Sequence, residues 1–141
     1  MKCKIIFVSF LLLTSILSLY AQKENQPFTG TIYNEEYKVW IEMNLHENNI
    51  TIPSQEIFGE VPGYIGSEND SRKWIIVEAT INQDIANLSV INDYGSEDLH
   101  ATLKKNPNGT YTLAQKEGST IKFAVKKKWQ KIPKQLVFKK R

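Results

Sequence analysis

Cysteine is almost absent from this chain of 141 residues, because the only one is Cys3, close to the N-terminus. Beyond that position no thiol is available to form a disulfide, to act as a nucleophile or to bind a metal as a thiolate. The fold must therefore be stabilised by its hydrophobic core alone. Cys3 also precedes the first apolar run, so it does not stand where a lipid-attachment cysteine would follow a signal segment.

Histidine is nearly as scarce, and common catalytic motifs are missing. His46 and His100 are the only histidines, and both are predicted at solvent-facing strand positions. No Gly-x-Ser-x-Gly motif marks a nucleophile elbow, and Glu78 is the one acid with apolar strand neighbours. One loop carries three acids that suit either a Ca²⁺ site or simple turn chemistry, namely Asp93, Glu97 and Asp98. We predict no catalytic residue, no metal site and no cofactor, and a hydrolase is the least favoured alternative.

The first 21 residues have the layout of a secretory signal peptide. Lys2 and Lys4 precede an apolar run at 5–13, and the segment ends at the small residue Ala21. The run is shorter than the roughly 20 apolar residues of a membrane span, so no transmembrane anchor is expected after cleavage. We predict a signal peptide at 1–21 and a secreted or periplasmic domain at 22–141. A small exported domain without disulfides suits a bacterial envelope better than an animal extracellular fluid.

Strand-like alternation dominates the rest of the chain, and no window has a convincing helical period. The clearest case is 74–91, where two alternating runs flank a polar turn at 82–84 and predict an antiparallel hairpin. Its first strand is expected to place Ile75, Val77, Ala79 and Ile81 on one face, after a polar loop at 68–73. Residues 22–141 are predicted to form one all-β domain, a small antiparallel barrel of about eight to ten sequentially paired strands, with a β-sandwich as the alternative.

The predicted layout is similar in a general way to lipocalin-like barrels. That family carries Gly-x-Trp on its first strand, whereas residues 28–31 of this chain are Phe-Thr-Gly-Thr. Membership of the family is therefore not claimed. The similarity implies an alternative function, in which the barrel interior carries a small apolar molecule or a sugar and is lined by some of Trp74, Ile76, Tyr94 and Tyr111.

Positive charge is concentrated at the C-terminal end. Residues 118–141 contain nine basic residues and no acid, whereas residues 22–117 contain seven basic residues and fifteen acids. Either the lysines protect a sheet edge from pairing with other chains, or they bind an acidic partner such as a glycan or a protein. The nearby aromatics Phe123, Trp129 and Phe138 are expected at core positions, which, with export, disfavours nucleic acid. The candidate binding residues in this segment are Lys126, Lys127, Lys128 and Trp129.

Trp40 provides the strongest indication of a contact surface. Residues 37–45 alternate so that Val39 and Ile41 face the core, whereas Trp40 shares the opposite, polar face with Lys38 and Glu42. An exposed tryptophan among polar residues is typical of a binding surface, although another segment covering it is an equal possibility. We therefore predict an exported, non-catalytic interaction protein, of inhibitor or immunity type, whose partner is an unknown protein, an acidic glycan or a small ligand.

Overall fold

The computed structural model describes residues 26–141, which form a closed barrel of antiparallel strands. The predicted all-β barrel is thereby confirmed, and the predicted signal peptide at 1–21 lies outside the described residues. The strands are β1 (Thr29–Asn34), β2 (Val39–Asn44), β3 (Ile50–Thr51), β4 (Glu60–Val61), β5 (Gly63–Ser67), β6 (Asp70–Asn82), β7 (Ile85–Asn92), β8 (Asp98–Lys105), β9 (Tyr111–Gly118), β10 (Lys122–Val125), β11 (Lys128–Lys131) and β12 (Gln135–Lys140). A 3₁₀ helix spans Glu56–Phe58.

Eight of these strands form the barrel in the order β1-β2-β5-β6-β7-β8-β9-β12, and β12 pairs with β1 to close it. Each barrel strand pairs with the next barrel strand along the chain, as the sequence predicts. Two hairpins interrupt the series, since β3 and β4 lie between β2 and β5, and β10 and β11 lie between β9 and β12. Within residues 26–141 there is no helix that is long and apolar enough to cross a membrane.

The barrel interior is filled by side chains from alternate strand positions. In β7 and β8 buried and solvent-facing residues alternate almost without exception, because strand side chains point to opposite faces in turn. Large side chains contributed by separate parts of the chain occupy this interior. The fully buried ones include Phe28, Ile32, Ile41, Met43, Ile65, Ile76, Leu88, Tyr111, Phe123 and Phe138.

Strand β6 departs from the predicted alternation at Val77. Ile76 pairs with Val90 while Glu78 pairs with Ser89, so Val77 is an extra residue that forms a β-bulge. Val77 is consequently 43% exposed, whereas Ala79 and Ile81 pack against the main core. The prediction that Ile75, Val77, Ala79 and Ile81 share one face is therefore wrong. The predicted polar loop at 68–73 is also wrong, because β6 already begins at Asp70.

A second, smaller core lies on the outer surface of the barrel. The connection between β2 and β5 covers this surface, where Ile52 and Val61 pack with Tyr64 and Ile75. Trp40 packs against the same cluster, and Lys73 Nζ lies 5.9 Å from its ring. A Cβ atom placed on Gly66 would lie only 2.6 Å from the indole, so glycine provides the space for the ring. Of the two possibilities for Trp40, the structure therefore shows the second, in which other segments partly cover the ring.

Trp40→Ala tests whether this tryptophan belongs to a core. The substitution removes a partly buried ring, and we expect a loss of about 2 kcal/mol, below the range for fully buried aromatic residues. The melting temperature should fall by several degrees, which thermal unfolding followed by circular dichroism would measure. Trp129→Ala is the matched control, because that ring is 55% exposed and its loss should change melting much less. Equal melting of the two variants would contradict the packing described for Trp40.

Candidate functional site

Most of the sequence-predicted binding residues meet at one end of the barrel. In an up-and-down barrel alternate connections lie at the same end, and here these are the β1–β2, β5–β6, β7–β8 and β9–β12 connections. They bring together Lys38, Tyr94, Trp129 and the lysines at 126–128, while Trp74 is buried beneath them. We call this the hairpin end. Trp40 and Glu42 instead belong to the outer face of β2.

A buried asparagine positions the loop that carries Tyr94. Asn92 Oδ1 accepts hydrogen bonds from the backbone N–H groups of Ser96 and Glu97, at 2.9 and 3.2 Å. Its Nδ2 donates to Ser96 Oγ at 3.1 Å. Asparagine suits this position because its side chain mimics a backbone turn. The loop is therefore fixed from below, and Tyr94 extends from it with 72% of its surface exposed.

The β10–β11 hairpin is attached to the barrel by a buried apolar residue and two hydrogen bonds. Phe123 is buried in the main core. The indole Nε1 of Trp74 donates to the carbonyl oxygen of Lys122 at 3.1 Å, and the backbone N–H of Ala124 donates to Asp70 Oδ2 at 2.7 Å. Because the side chain of Asp70 is only 4% exposed, this bond to a carboxylate is sheltered from water. The hairpin is thus held as a fixed extension of the sheet.

A cleft of about 150 Å³ separates the hairpin from the β7–β8 loop. Trp129 forms part of its wall, with the guanidinium of Arg72 at 4.6 Å and Lys122 Nζ at 5.2 Å from the ring centroid. Asp70 orients the guanidinium through an ion pair of 3.3 Å, and Glu97 pairs with Lys122 at 3.5 Å. Two cations beside one indole make cation–π contacts that hold the ring in place. Tyr94 completes the aromatic rim of the cleft.

The prediction that Trp129 is a core residue is wrong, whereas Phe123 and Phe138 are buried as expected. The reason is the register of the hairpin. Trp129 pairs with Ala124, and Phe123 pairs with Gln130, so Trp129 and Phe123 lie on opposite faces. Only the Phe123 face packs onto the barrel.

The lysines around Trp129 extend from the barrel into solvent. Lys126 and Lys127 form the two-residue turn between β10 and β11, and both have positive φ, at 51° and 66°. Lys128 and Lys131 lie on β11, all four of whose residues are exposed. Counting Lys122 on β10, five of the nine basic residues of 118–141 therefore lie on this hairpin, whereas Lys139 and Lys140 lie on β12.

The face of Trp40 forms a structural cluster with an internal hydrogen bond. The Tyr64 hydroxyl donates to Glu42 Oε2 at 2.6 Å, which uses the carboxylate that had been predicted for partner contact. Burial, followed by the hydrogen bond and the negative charge of Glu42, raises the pKa of Tyr64 to about 12. Lys38 remains exposed in the β1–β2 turn, where its carbonyl oxygen accepts from the Glu68 N–H.

The residues proposed to line a ligand cavity are distributed differently from the expectation. Trp74, Ile76 and Tyr111 point into the interior but are packed among other core side chains. The Tyr111 hydroxyl accepts from the Phe28 N–H at 3.1 Å, and the two rings contact edge to face. Tyr94, the fourth of these residues, does not line the interior, because 72% of its surface is exposed.

The residues considered for catalysis and metal binding are exposed or serve the loops. His46, His100 and Glu78 are all exposed. His100 Nδ1 lies 3.5 Å from Ser89 Oγ on the outer sheet surface, in a flat setting unlike the sharp turn that presents a serine nucleophile. In the described part of the chain no group of three metal-binding side chains converges. Within the acidic loop, Asp93 Oδ2 accepts from Lys73 N and Gln55 Nε2, so that carboxylate has a structural role.

Sequence reasoning missed Asp70 and Arg72, which hold the hairpin and stack on Trp129. The sequence feature that could have revealed them is their spacing of two residues, because residues two apart on a strand have side chains on the same face. A loop at 68–73, which the sequence predicts, gives this spacing no meaning, whereas β6 begins at Asp70. The chain matches no protein-family model, no curated protein and no solved structure. Known proteins therefore do not supply a function for this site.

The burial of Tyr64, together with its hydrogen bond to Glu42, predicts a fall in stability at alkaline pH. The folded-state pKa of Tyr64 is raised above its ordinary value of 10.0, so the folded state favours the protonated phenol. This contribution is fully present below pH 10 and is lost as the pH rises towards about 12, by up to about 1.4 kcal/mol for each unit. Urea unfolding at successive pH values should show a smaller decline for Tyr64→Phe. A matched substitution of the exposed Tyr94 to Phe should retain the wild-type decline, and identical curves for Tyr64→Phe and wild type would contradict the assignment.

Asp70→Ala tests how the hairpin is attached. The change leaves the Ala124 N–H without its acceptor and Arg72 without its ion pair, and losing such a bond costs about 1 to 3 kcal/mol. We expect the hairpin to open more often while the barrel stays folded. Amide hydrogen exchange at Ala124 and Ile132 should accelerate at least tenfold, with little change at Leu88. Asp84→Ala, in the turn between β6 and β7, is the control, and unchanged exchange in Asp70→Ala would contradict the role of this carboxylate.

Proposed function

We propose that this chain is an exported, non-catalytic binding protein that recognises an acidic partner protein through the hairpin end of its barrel. The observation that carries the proposal is the cleft framed by Trp129, Tyr94 and Arg72. Tryptophan, tyrosine and arginine are the residue types that contribute most binding energy in protein interfaces. Here all three converge on one cleft, and the two aromatic rings are 55% and 72% exposed.

The dimensions of the cleft favour a protein partner over a carried small molecule. Pockets for drug-sized ligands usually measure about 300 to 1,000 Å³, whereas this cleft holds about 150 Å³. That space accommodates a single side chain of a partner. The barrel interior, which the lipocalin-like alternative would use, contains packed core residues at these positions.

The fixed geometry of the site also supports a binding role. Asn92 holds the loop of Tyr94, and Asp70 holds both Arg72 and the hairpin of Trp129. A surface ordered before association loses less conformational entropy when the partner binds. An inhibitor or immunity-type protein of a bacterial envelope would use such a surface to block a partner, and we include this setting in the proposal on the strength of the signal-like N-terminal segment.

Trp129→Ala is the central test of the proposed function. The wild-type protein and the variant are immobilised and exposed to envelope extract of the source cells, and the retained proteins are identified by mass spectrometry. A specific partner should be retained by the wild type, and calorimetry with the purified partner should show at least tenfold weaker binding to Trp129→Ala, because truncating such an anchor costs more than about 1.4 kcal/mol.

Ile57→Ala is the matched control for this experiment. Ile57 is 93% exposed in the 3₁₀ helix and, in the described part of the chain, does not contribute to the cleft. This variant should retain the partner with wild-type affinity. A partner that binds Trp129→Ala as tightly as the wild type would place recognition elsewhere on the molecule.

A further inference from the structure

The turn at the tip of the hairpin is built from residues that its geometry disfavours. Val125 pairs with Lys128, so Lys126 and Lys127 form a two-residue connection in which both residues have positive φ. Turns of this kind favour Asn-Gly, because a side chain with a Cβ is strained in the left-handed region. Among residues 26–141 this is the only pair of consecutive non-glycine residues with positive φ. Two lysines occupy positions where asparagine and glycine would stabilise the hairpin.

The strands of the hairpin also contain an unfavourable pair of side chains. Lys122 lies directly opposite Lys131, and like charges at paired positions repel each other. Glu97 offsets the charge of Lys122. Within the described chain, neither Lys131 nor the turn lysines at 126 and 127 form an ion pair. Several uncompensated positive charges are therefore kept close together on one exposed element.

From these observations we infer that the Lys126–Lys127 turn is a charge-recognition site for an acidic polypeptide segment, retained at the expense of hairpin stability. The inference rests on the proposed function and specifies the partner surface that lies beside the cleft. Strained backbone positions on an ordered element occur preferentially at functional sites, where the surrounding structure holds them in place. The partner segment must then carry several carboxylates next to the group that enters the cleft.

Charge of opposite sign predominates in the two parts of the domain sequence. Residues 22–117 have an excess of eight acids over basic residues, whereas 118–141 contain only basic ones. Five of these basic residues, Lys122, Lys126, Lys127, Lys128 and Lys131, belong to the β10–β11 hairpin, so an acidic segment is attracted to this element. The turn is the tip of this hairpin. It would therefore contact the partner early and act mainly on the rate of association.

The substitution pair Lys126→Asn and Lys127→Gly separates recognition from stability, because the two effects have opposite signs. This variant introduces the preferred turn residues and removes two charges. We expect its melting temperature to be equal to or higher than that of wild type, while its affinity for the acidic probe poly-L-glutamate falls at least fivefold at 50 mM salt. The protein is expressed with its full N-terminal segment and purified, and binding is measured by fluorescence anisotropy with a labelled chain of about 20 glutamates. Raising the salt from 50 to 500 mM should weaken wild-type binding markedly, because screening shortens the reach of exposed charge.

Two further charge variants control this result. Lys126→Gln with Lys127→Gln removes the charges but leaves the strained turn, so affinity should fall as much with no gain in melting temperature. Lys104→Gln with Lys105→Gln removes the same charge at the end of β8, on the opposite end of the barrel, and affinity should remain within about twofold of wild type. Equal losses in both double variants would indicate net charge alone and would overturn the assignment.

The remaining outcomes distinguish the two proposals. Wild-type affinity in the Asn-Gly variant together with weakened binding in Trp129→Ala would overturn the role of the turn and leave the proposed function standing. Unchanged polyglutamate binding in all variants, or no binding to wild type, would overturn the role of the turn, and the proposed function would then be decided by the captured partner and Trp129→Ala alone. Tighter binding of polygalacturonate, a carboxylated glycan, than of polyglutamate would overturn the assignment to a polypeptide partner.

Discussion

Pairing between the last strand and the first closes the sheet, and the arrangement of everything else follows from that closure. Residues 32 and 33 of β1 pair with residues 140 and 139 of β12. Asn34 Nδ2 reinforces the seam by donating to the carbonyl oxygen of Val137 at 2.8 Å. A closed sheet has no free edge at which another chain could add a strand. The proposed function then places the partner contact on strand surfaces, end loops or segments inserted between barrel strands, and not on a barrel edge.

The two segments inserted between barrel strands, the β2–β5 connection and the β10–β11 hairpin, pack on the barrel in different ways. The connection between β2 and β5 lies against the outer barrel surface and buries Ile52 and Val61 on Tyr64, so it enlarges the folded core. The β10–β11 hairpin instead buries only the Phe123 face and presents Trp129 to solvent. An insertion that contributes only part of its apolar surface to folding can provide the rest to a partner. This difference favours the hairpin as the site of recognition.

The fold was predictable because the alternating pattern of the barrel strands is local information. In β2, Val39, Ile41 and Met43 are buried as the alternation predicts, and short turns account for the sequential pairing from β5 to β9. The partial burial of Trp40 and the exposure of Trp129 were not predictable from the sequence. Trp40 has polar neighbours in the sequence but is covered by a distant segment, whereas Trp129 has the spacing of a core residue on a strand that only half packs. The Val77 bulge was equally hidden, because an extra residue reverses the faces without changing local composition.

The candidate site depends on tertiary contacts that no short stretch of sequence contains. Asp70 becomes informative only when its carboxylate reaches Ala124, 54 residues away, and its neighbour Arg72 reaches Trp129. These contacts transfer the rigidity of the barrel to the hairpin. Because the large core already stabilises the domain, a strained turn and a repelling lysine pair can be tolerated on this extension without unfolding it. Stability depends on the barrel and the proposed recognition on the hairpin, and the buried carboxylate of Asp70 is a physical link between the two.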